Sequence, residues 1–497
     1  MEYFSVAESV NMMSVNMMKK LICSTLAVGN VAAAIAGITN VTVDFSAQTG
    51  KDIKPLHGIN NSPVSLYKPL PELQDAGIPY VRLHDTSGAY GGNCYVDVPN
   101  IFPDFDANEN DPSSYRFEFT DAYLKQLNAS GMKIFYRLGV TIENHYRIHA
   151  YRIAPPKDFA KWARICEHII RHYNEGWANG FHYNIQYWEI WNEPENPPMW
   201  SGTREQFFEL YRIASTHLKK CFPQLKIGGY ASCGFLALTN PNTDNFHKSF
   251  LTWFEDFLKF AKKHDLPLDF FSWHKYFNNA RQIIPDANYV RQTLDKYGFT
   301  KTESIFNEWN YYSGSKETVW DDVKNHRGAS TAAEAFIRLQ QLPVDKAMYY
   351  DATPTRVYCG LYYFPHKRLT PCYYSFKAFN CLYQLKKEVS STVSGDKSEV
   401  VAALAASDGK AGAVLITNAD KRSSTVKLNI LNAPCIPVAY ITDRTRTFKQ
   451  VDFSSEIRLA PFSTLLLDFN ANISNLTSVR ENQTVNFSGI DNNKGKK

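Results

Sequence analysis

The sequence predicts an α/β chain: a (β/α)8 TIM barrel followed by a C-terminal antiparallel β-sandwich domain. Three observations carry that expectation. From Lys54 to about Tyr383, short apolar runs alternate with longer amphipathic segments, the pattern of strand–helix units around a parallel sheet. The apolar runs number eight, enough to close a barrel. After about Leu385 the segments become short, rich in β-branched residues and divided by Gly, Asp, Asn and Pro, as in a sandwich.

The eight barrel strands are expected at Leu56–Asn60, Tyr80–His84, Lys133–Leu138, Ile185–Trp191, Lys226–Gly229, Phe270–His274, Ile305–Glu308 and Ala347–Tyr350. Helices fall between them. In Lys157–Gly176, Phe159, Trp162, Ala163, Cys166, Ile169 and Ile170 recur at three- and four-residue steps, and Gly176 stops the run. The stretches beginning REQFFELYRI and SFLTWFEDFL repeat that periodicity. Val41–Phe45 (VTVDF) reads as a strand of the later sheet, so residues 37–50 are expected to pair with it. The resulting organisation is a signal-like segment at 1–36, that strand at 37–50, the barrel at 51–384, the sandwich at 385–470 and a polar tail at 471–497, expected to be disordered.

Composition narrows the classes. Hydrophobic residues make up 44% and charged residues 21% of the 497, the balance of a folded, water-soluble chain. Of the formal charge of +5, the tail supplies +2 (four Lys/Arg, two acids) and residues 1–36 supply none, leaving +3, which is no nucleic-acid footprint. Met17–Gly37 has a basic pair, an apolar run too short to span a membrane and a small-residue ending, the layout of a secretory signal. Export to the periplasm or the extracellular space is therefore expected, with a start at Met17 or Met18. Eight cysteines follow Cys23 with no metal-ligand spacing, and disulfides and free thiols stay equally open.

Several strands end in polar or ionisable residues: Asn60, then Arg82, His84 and Asp85, Asn192 and Glu193, His274 and Tyr276, and Glu308. Strand ends of a barrel face one mouth, so these residues are expected to converge. Two carboxylates stand out, Glu193 in WNEP and Glu308 in FNEW, each preceded by asparagine. Such a pair is what glycoside cleavage needs: one protonates the departing oxygen while the other attacks the anomeric carbon or activates water. YWEIWNEPENP contains two more acids. Glu189 is expected to be paired in the barrel wall, and Glu195 to belong to the loop. Pro194 is expected to hold Glu193 extended where the strand breaks.

Asn192-Glu193-Pro194 after an apolar strand, Glu308 on a later one and His274-Lys275-Tyr276 between them resemble the clan A glycoside hydrolases. VTVDF, His57-Gly58-Ile59-Asn60 and Val81-Arg82-Leu83-His84 look most like family 39, which includes β-xylosidases and α-L-iduronidases. The resemblance spans roughly residues 40–470. It implies a retaining exo-glycosidase with Glu193 as acid/base and Glu308 as nucleophile, Glu193 protonated and Glu308 ionised. It also implies Asn192 at the sugar 2-hydroxyl, His274 and Tyr276 around the nucleophile, and Arg82 and His84 shaping the sugar site. No cofactor or metal is implied.

At the eighth strand the sequence departs from the clan pattern. Met348-Tyr349-Tyr350-Asp351 stands where many members carry a tryptophan. Tyr350 is a candidate to stack on a sugar and Asp351 to bind a hydroxyl. Trp309 is a further substrate-binding candidate, with packing as its competing role, as for Trp191. Glu143–Tyr146 and Trp200 are weaker candidates for the rim. A β-glucoside, β-galactoside, arabinoside or uronide is the alternative substrate, a uronide requiring a cation such as Lys275, Arg147 or Arg152. A non-catalytic carbohydrate-binding protein is the alternative class; oligomeric state is not legible.

Overall fold

The computed structural model describes residues 38–65, 68–84, 95–141 and 151–470. The signal-like segment and the polar tail lie outside the described residues, as do Asp85, Glu143–Tyr146 and Arg147.

After a first strand, β1 (Ile38–Asp52), eight parallel strands close a barrel: β2 (Gly58–Asn60), β3 (Tyr80–Leu83), β4 (Lys133–Leu138), β5 (Tyr187–Ile190), β6 (Lys226–Ser232), β7 (Phe270–Phe277), β8 (Glu303–Tyr311) and β9 (Lys346–Tyr349). Each coincides with an expected run. β7 and β8 continue past His274 and Glu308. The intervening helices carry the stop signals read from the sequence. The helix Phe159–Glu175 starts where the Asp158 side chain accepts from two backbone amides, and it ends at Gly176 with φ +77°. A capping box formed by Thr203 and Gln206 opens Arg204–Cys221.

Side-chain alternation fills the barrel in layers. Phe135, Tyr187, Phe270, Ile305 and Met348, with Tyr80 beside them, form the apolar floor. Two residues further along their strands stand Arg82, Arg137, Glu189, Ser272 and Asn307, all fully buried. The lower layer is therefore mainly aromatic and aliphatic, with the Tyr187 hydroxyl donating to Glu303, and the one above it is polar and must be internally paired.

The remaining strands are β10 (Lys387–Gly395), β11 (Val401–Ser407), β12 (Gly412–Asn418), β13 (Ser424–Leu431), β14 (Val438–Thr442), β15 (Lys449–Val451), β16 (Glu456–Leu459) and β17 (Ser463–Asp468). With β1 they make a separate nine-stranded sheet ordered β15-β14-β17-β12-β11-β10-β1-β13-β16. Neighbours run antiparallel except β1 and β13, which are parallel. Val414, Ile416, Leu465 and Leu467 share one apolar core with Val41, Val43, Val426 and Leu459, so the sheet folds over and its two halves face each other. Their neighbours Leu404, Leu415 and Leu466 face the other way and join the barrel core, against the helices His326–Gln341 and Pro371–Leu385.

The seven cysteines among the described residues are free thiols. No helix among those residues is long and apolar enough to cross a membrane.

Candidate active site

The strand ends bring Arg82, Asn192, Glu193, His274, Tyr276 and Glu308 into one constellation, and two backbone irregularities make that possible. Regular alternation along β8 would turn Ile305, Asn307 and Trp309 inward and Glu308 outward. Instead Trp273 pairs with Phe306 while His274 pairs with Glu308, so one extra residue, Asn307, is accommodated as a β-bulge. The bulge re-aims the strand, and both Asn307 and Glu308 face the barrel interior. Trp309 then points outward, fully buried against Phe277, Phe336 and Tyr349. This corrects the expectation that Trp309 binds substrate: it packs the barrel against its helices.

The second irregularity ends β5. Trp191 has φ +74° and Glu193 φ +45°, so the strand breaks sharply and both Asn192 and Glu193 reach inward. Two glycines permit the break. A Cβ on Gly139 would sit 3.1 Å from the Trp191 Cα, and one on Gly229 2.7 Å from the Ile190 carbonyl. The expectation that Pro194 holds Glu193 extended is corrected. The Glu193 amide donates to the Ala231 carbonyl (2.9 Å) and its carbonyl accepts from Asn196 (2.9 Å), which fixes a tight turn instead. Trp191 packs on Trp200, and both indoles are buried, so Trp200 forms no rim.

Arg82 organises the floor of the site. Its Nε donates to Glu189 (2.8 Å), Nη1 to Asn60 (3.0 Å) and Glu308 (3.1 Å), and Nη2 to Asn192 Oδ1 (2.7 Å). Glu189 also accepts from Ser272 (2.6 Å) and Asn307 (2.6 Å), so its charge is fully paired. Above this floor Tyr276 donates to Glu308 Oε1 at 2.9 Å. His274 Nδ1 donates to Glu193 at 2.7 Å and lies 3.7 Å from Glu308. One donor atom each from Glu193, His274 and Glu308 falls within 4.8 Å of the others. That trio has a geometry able to hold a divalent ion; so does Glu167, His217 and Cys221, on the helices Phe159–Glu175 and Arg204–Cys221.

Proton placement follows from these contacts. Burial disfavours charge on His274, but the nearby Glu308 and the bond to Glu193 outweigh it and raise its pKa. Burial raises Glu193, yet the hydrogen bond and charge of His274 bring it below the usual carboxylate range. Glu308 is raised by burial and by the charge of Glu193, against His274, Arg82 and Tyr276. The sequence reading expects the reverse order, Glu193 protonated and Glu308 ionised. The reason for the difference is His274: the proton nearest Glu193 sits on its Nδ1, one hydrogen bond away.

His84 and Tyr350 stand at the margin. His84 is buried and held neutral by burial and by Arg82, Arg137 and His274, with its ring 6.2 Å from that of the half-buried Tyr350. Asp351 is buried next in sequence to Tyr350, within electrostatic reach of Lys324, Tyr349 and Cys359. Lys275, the cation suggested for a uronide, forms an ion pair with buried Asp286 and bonds Thr239. Glu195 lies in the turn after β5, where the sequence places it, but its burial there is not legible in the sequence. Expected as a loop residue, it is 7% exposed and accepts from Ser232 Oγ and the Cys233 amide, both at 2.7 Å.

A sequence profile described as glycosyl hydrolases family 39 matches residues 71–318. A β-xylosidase of Caldicellulosiruptor saccharolyticus is 23% identical over 425 residues, covering 77% of this chain and 79% of its own. Among solved structures, a glucosidase from Croceicoccus marinus superposes with a TM-score of 0.69 at 23% identity, covering 87% of this chain and 98% of the other. A monomeric β-xylosidase from Caulobacter crescentus CB15 does so with a TM-score of 0.60 at 17% identity, covering 86% and 99%.

Proposed function

The chain belongs to glycosyl hydrolases family 39 and is a glycoside hydrolase, and from that premise we propose that it is a retaining exo-glycosidase, β-xylosidase-like, acting by double displacement. Glu308 is the nucleophile and Glu193 the acid/base. In the first step Glu308 attacks the anomeric carbon while Glu193 gives a proton to the departing oxygen. In the second, Glu193 takes a proton from water as that water displaces Glu308.

The observation that carries this reading is the separation of the two carboxylates. Oxygens of Glu193 and Glu308 lie within 4.8 Å. Retaining enzymes place their carboxyl groups about 5–5.5 Å apart, whereas inverting ones leave about 6.5–9.5 Å for a water. Tyr276 and Arg82 favour the ionised form of Glu308, as a nucleophile requires. The bond from His274 gives Glu193 a proton source: moving that proton across the hydrogen bond, whose heavy atoms are 2.7 Å apart, makes Glu193 the acid. Asn192, held through Oδ1 by Arg82, is assigned to the sugar 2-hydroxyl, and His84 and Tyr350 to the wall of the sugar site.

The xyloside assignment rests on the likeness to the C. saccharolyticus β-xylosidase; another neutral glycoside is the second reading. Of the cations a uronide would require, Lys275 is already paired with Asp286, which removes it from that role. Export is proposed on the layout of Met17–Gly37 alone. A panel of aryl glycosides tests the assignment. Glu308→Gln is expected to lose at least about 10³-fold in kcat while still binding sugar. Glu193→Ala is expected to recover turnover of an activated aryl glycoside with azide. Unchanged turnover by Glu308→Gln would refute the nucleophile.

A further inference from the structure

Glu195 is a buried acid two residues from Glu193 that the mechanism above leaves unused. Its Oε1 accepts from the Ser232 hydroxyl and the Cys233 amide, both at 2.7 Å, and its Oε2 is buried with no hydrogen-bond partner among the described residues. The two donors belong to the end of β6, where Ala231 has φ +57°. That segment is also the platform of Glu193: the Ala231 carbonyl receives the Glu193 amide at 2.9 Å, and the Ala231 amide donates to Ser272, which in turn donates to Glu189. One carboxylate thus ties the loop carrying Glu193 to the turn on which the Glu193 backbone rests.

We infer that Glu195 is a positioning residue that fixes the Glu193 carboxyl by clamping the turn at residues 231–233. This rests on the assignment of Glu193 as acid/base. A clamp made from a buried carboxyl is pH-sensitive. Burial pushes Glu195 up to about 7, against the hydrogen bond of Ser232, and the charge of Glu193 adds to the rise. The titratable groups facing it are Glu193 on its own loop and Tyr230 and Cys233 on the β6 side, with His274 beyond Glu193. Tyr230 and Cys233 are both raised well above their ordinary ranges and Glu193 is held below the carboxylate range, so of the acids in this set Glu195 is the one whose charge changes near neutrality. Below about 7 Glu195 is neutral and tolerates an unpartnered Oε2; above it, a second buried negative charge builds up beside Glu193.

The test compares Glu195→Gln and Glu195→Ala with the unmodified enzyme, using kcat and KM across pH on two substrates of the same sugar: one with a good aryl leaving group and one with a poor alkyl leaving group. Glutamine keeps the acceptor and cannot ionise. Glu195→Gln is expected to stay within about twofold of the unmodified enzyme at acid pH and to hold its rate further into the alkaline range. Glu195→Ala is expected to lose about ten- to a hundredfold in kcat on the poor leaving group, less on the good one, with KM little changed. A Glu195→Gln profile that overlays the unmodified enzyme, or equal losses by Glu195→Ala on both substrates, would overturn the inference. Glu193→Ala runs alongside as a control: if it too shows no leaving-group dependence, the assignment of Glu193 has failed rather than that of Glu195.

Discussion

Tyr276 has one function that can be isolated by a single atom. Its hydroxyl donates to Glu308 at 2.9 Å and lowers that carboxyl's pKa against burial. Removing the donor in Tyr276→Phe lets the Glu308 pKa rise further. Because the nucleophile works ionised, the acid limb of kcat/KM should move to higher pH, and kcat should fall about tenfold or more. A profile unmoved on its acid side would show that Tyr276 does not hold the nucleophile. Single residues were unevenly legible in the sequence. The two carboxylates announce themselves because each follows an apolar run, where a charge is costly. Glu195 does not, because a polar loop is the ordinary place for glutamate, and only the fold reveals that this side chain is buried against the end of β6. Trp309 misleads for a related reason: adjacency to Glu308 in sequence suggests adjacency in the site, whereas the two side chains leave the strand on opposite sides.

Strands, as elements, were read from the alternation of apolar runs and helical periodicity, and all eight of the barrel are present. What alternation could not supply is the register where it fails. The bulge at Asn307 and the break at Trp191–Glu193 are set by tertiary pairing, through Asn307 to Glu189 and Glu193 to Ala231, and a periodic reading passes over both. These irregular ends are held by Arg82, whose guanidinium joins β2, β3, β5 and β8 through Asn60, Glu189 and Glu308, and reaches Asn192 beyond β5. Arg82→Met keeps the volume but leaves Glu189 as an uncompensated buried charge. Its denaturant unfolding should show a loss of about 3–5 kcal/mol. A loss under about 1 kcal/mol would mean that the polar layer is not held by this arginine.

On the scale of the whole molecule, His57 stands at the closure of the barrel just before β2. It bonds the Gly77 carbonyl (3.0 Å) and packs edge-on against Phe379 and Tyr383 of the helix Pro371–Leu385. Burial lowers its pKa from 6.5 to about 3. A histidine with a depressed folded pKa takes up its proton on unfolding, so its contribution is full above about 6.5 and is lost as pH falls towards about 3. Stability should decline over that window with a component of about 1.4 kcal/mol per pH unit from this residue, and His57→Phe should flatten it. An unchanged slope in the variant would contradict the assignment. The measurement that bears most directly on the whole account is the anomeric configuration of the first-formed product, followed by proton NMR during cleavage of the best aryl glycoside. Double displacement through Glu308 predicts that the substrate's configuration is retained before mutarotation, and an inverted first product would contradict it.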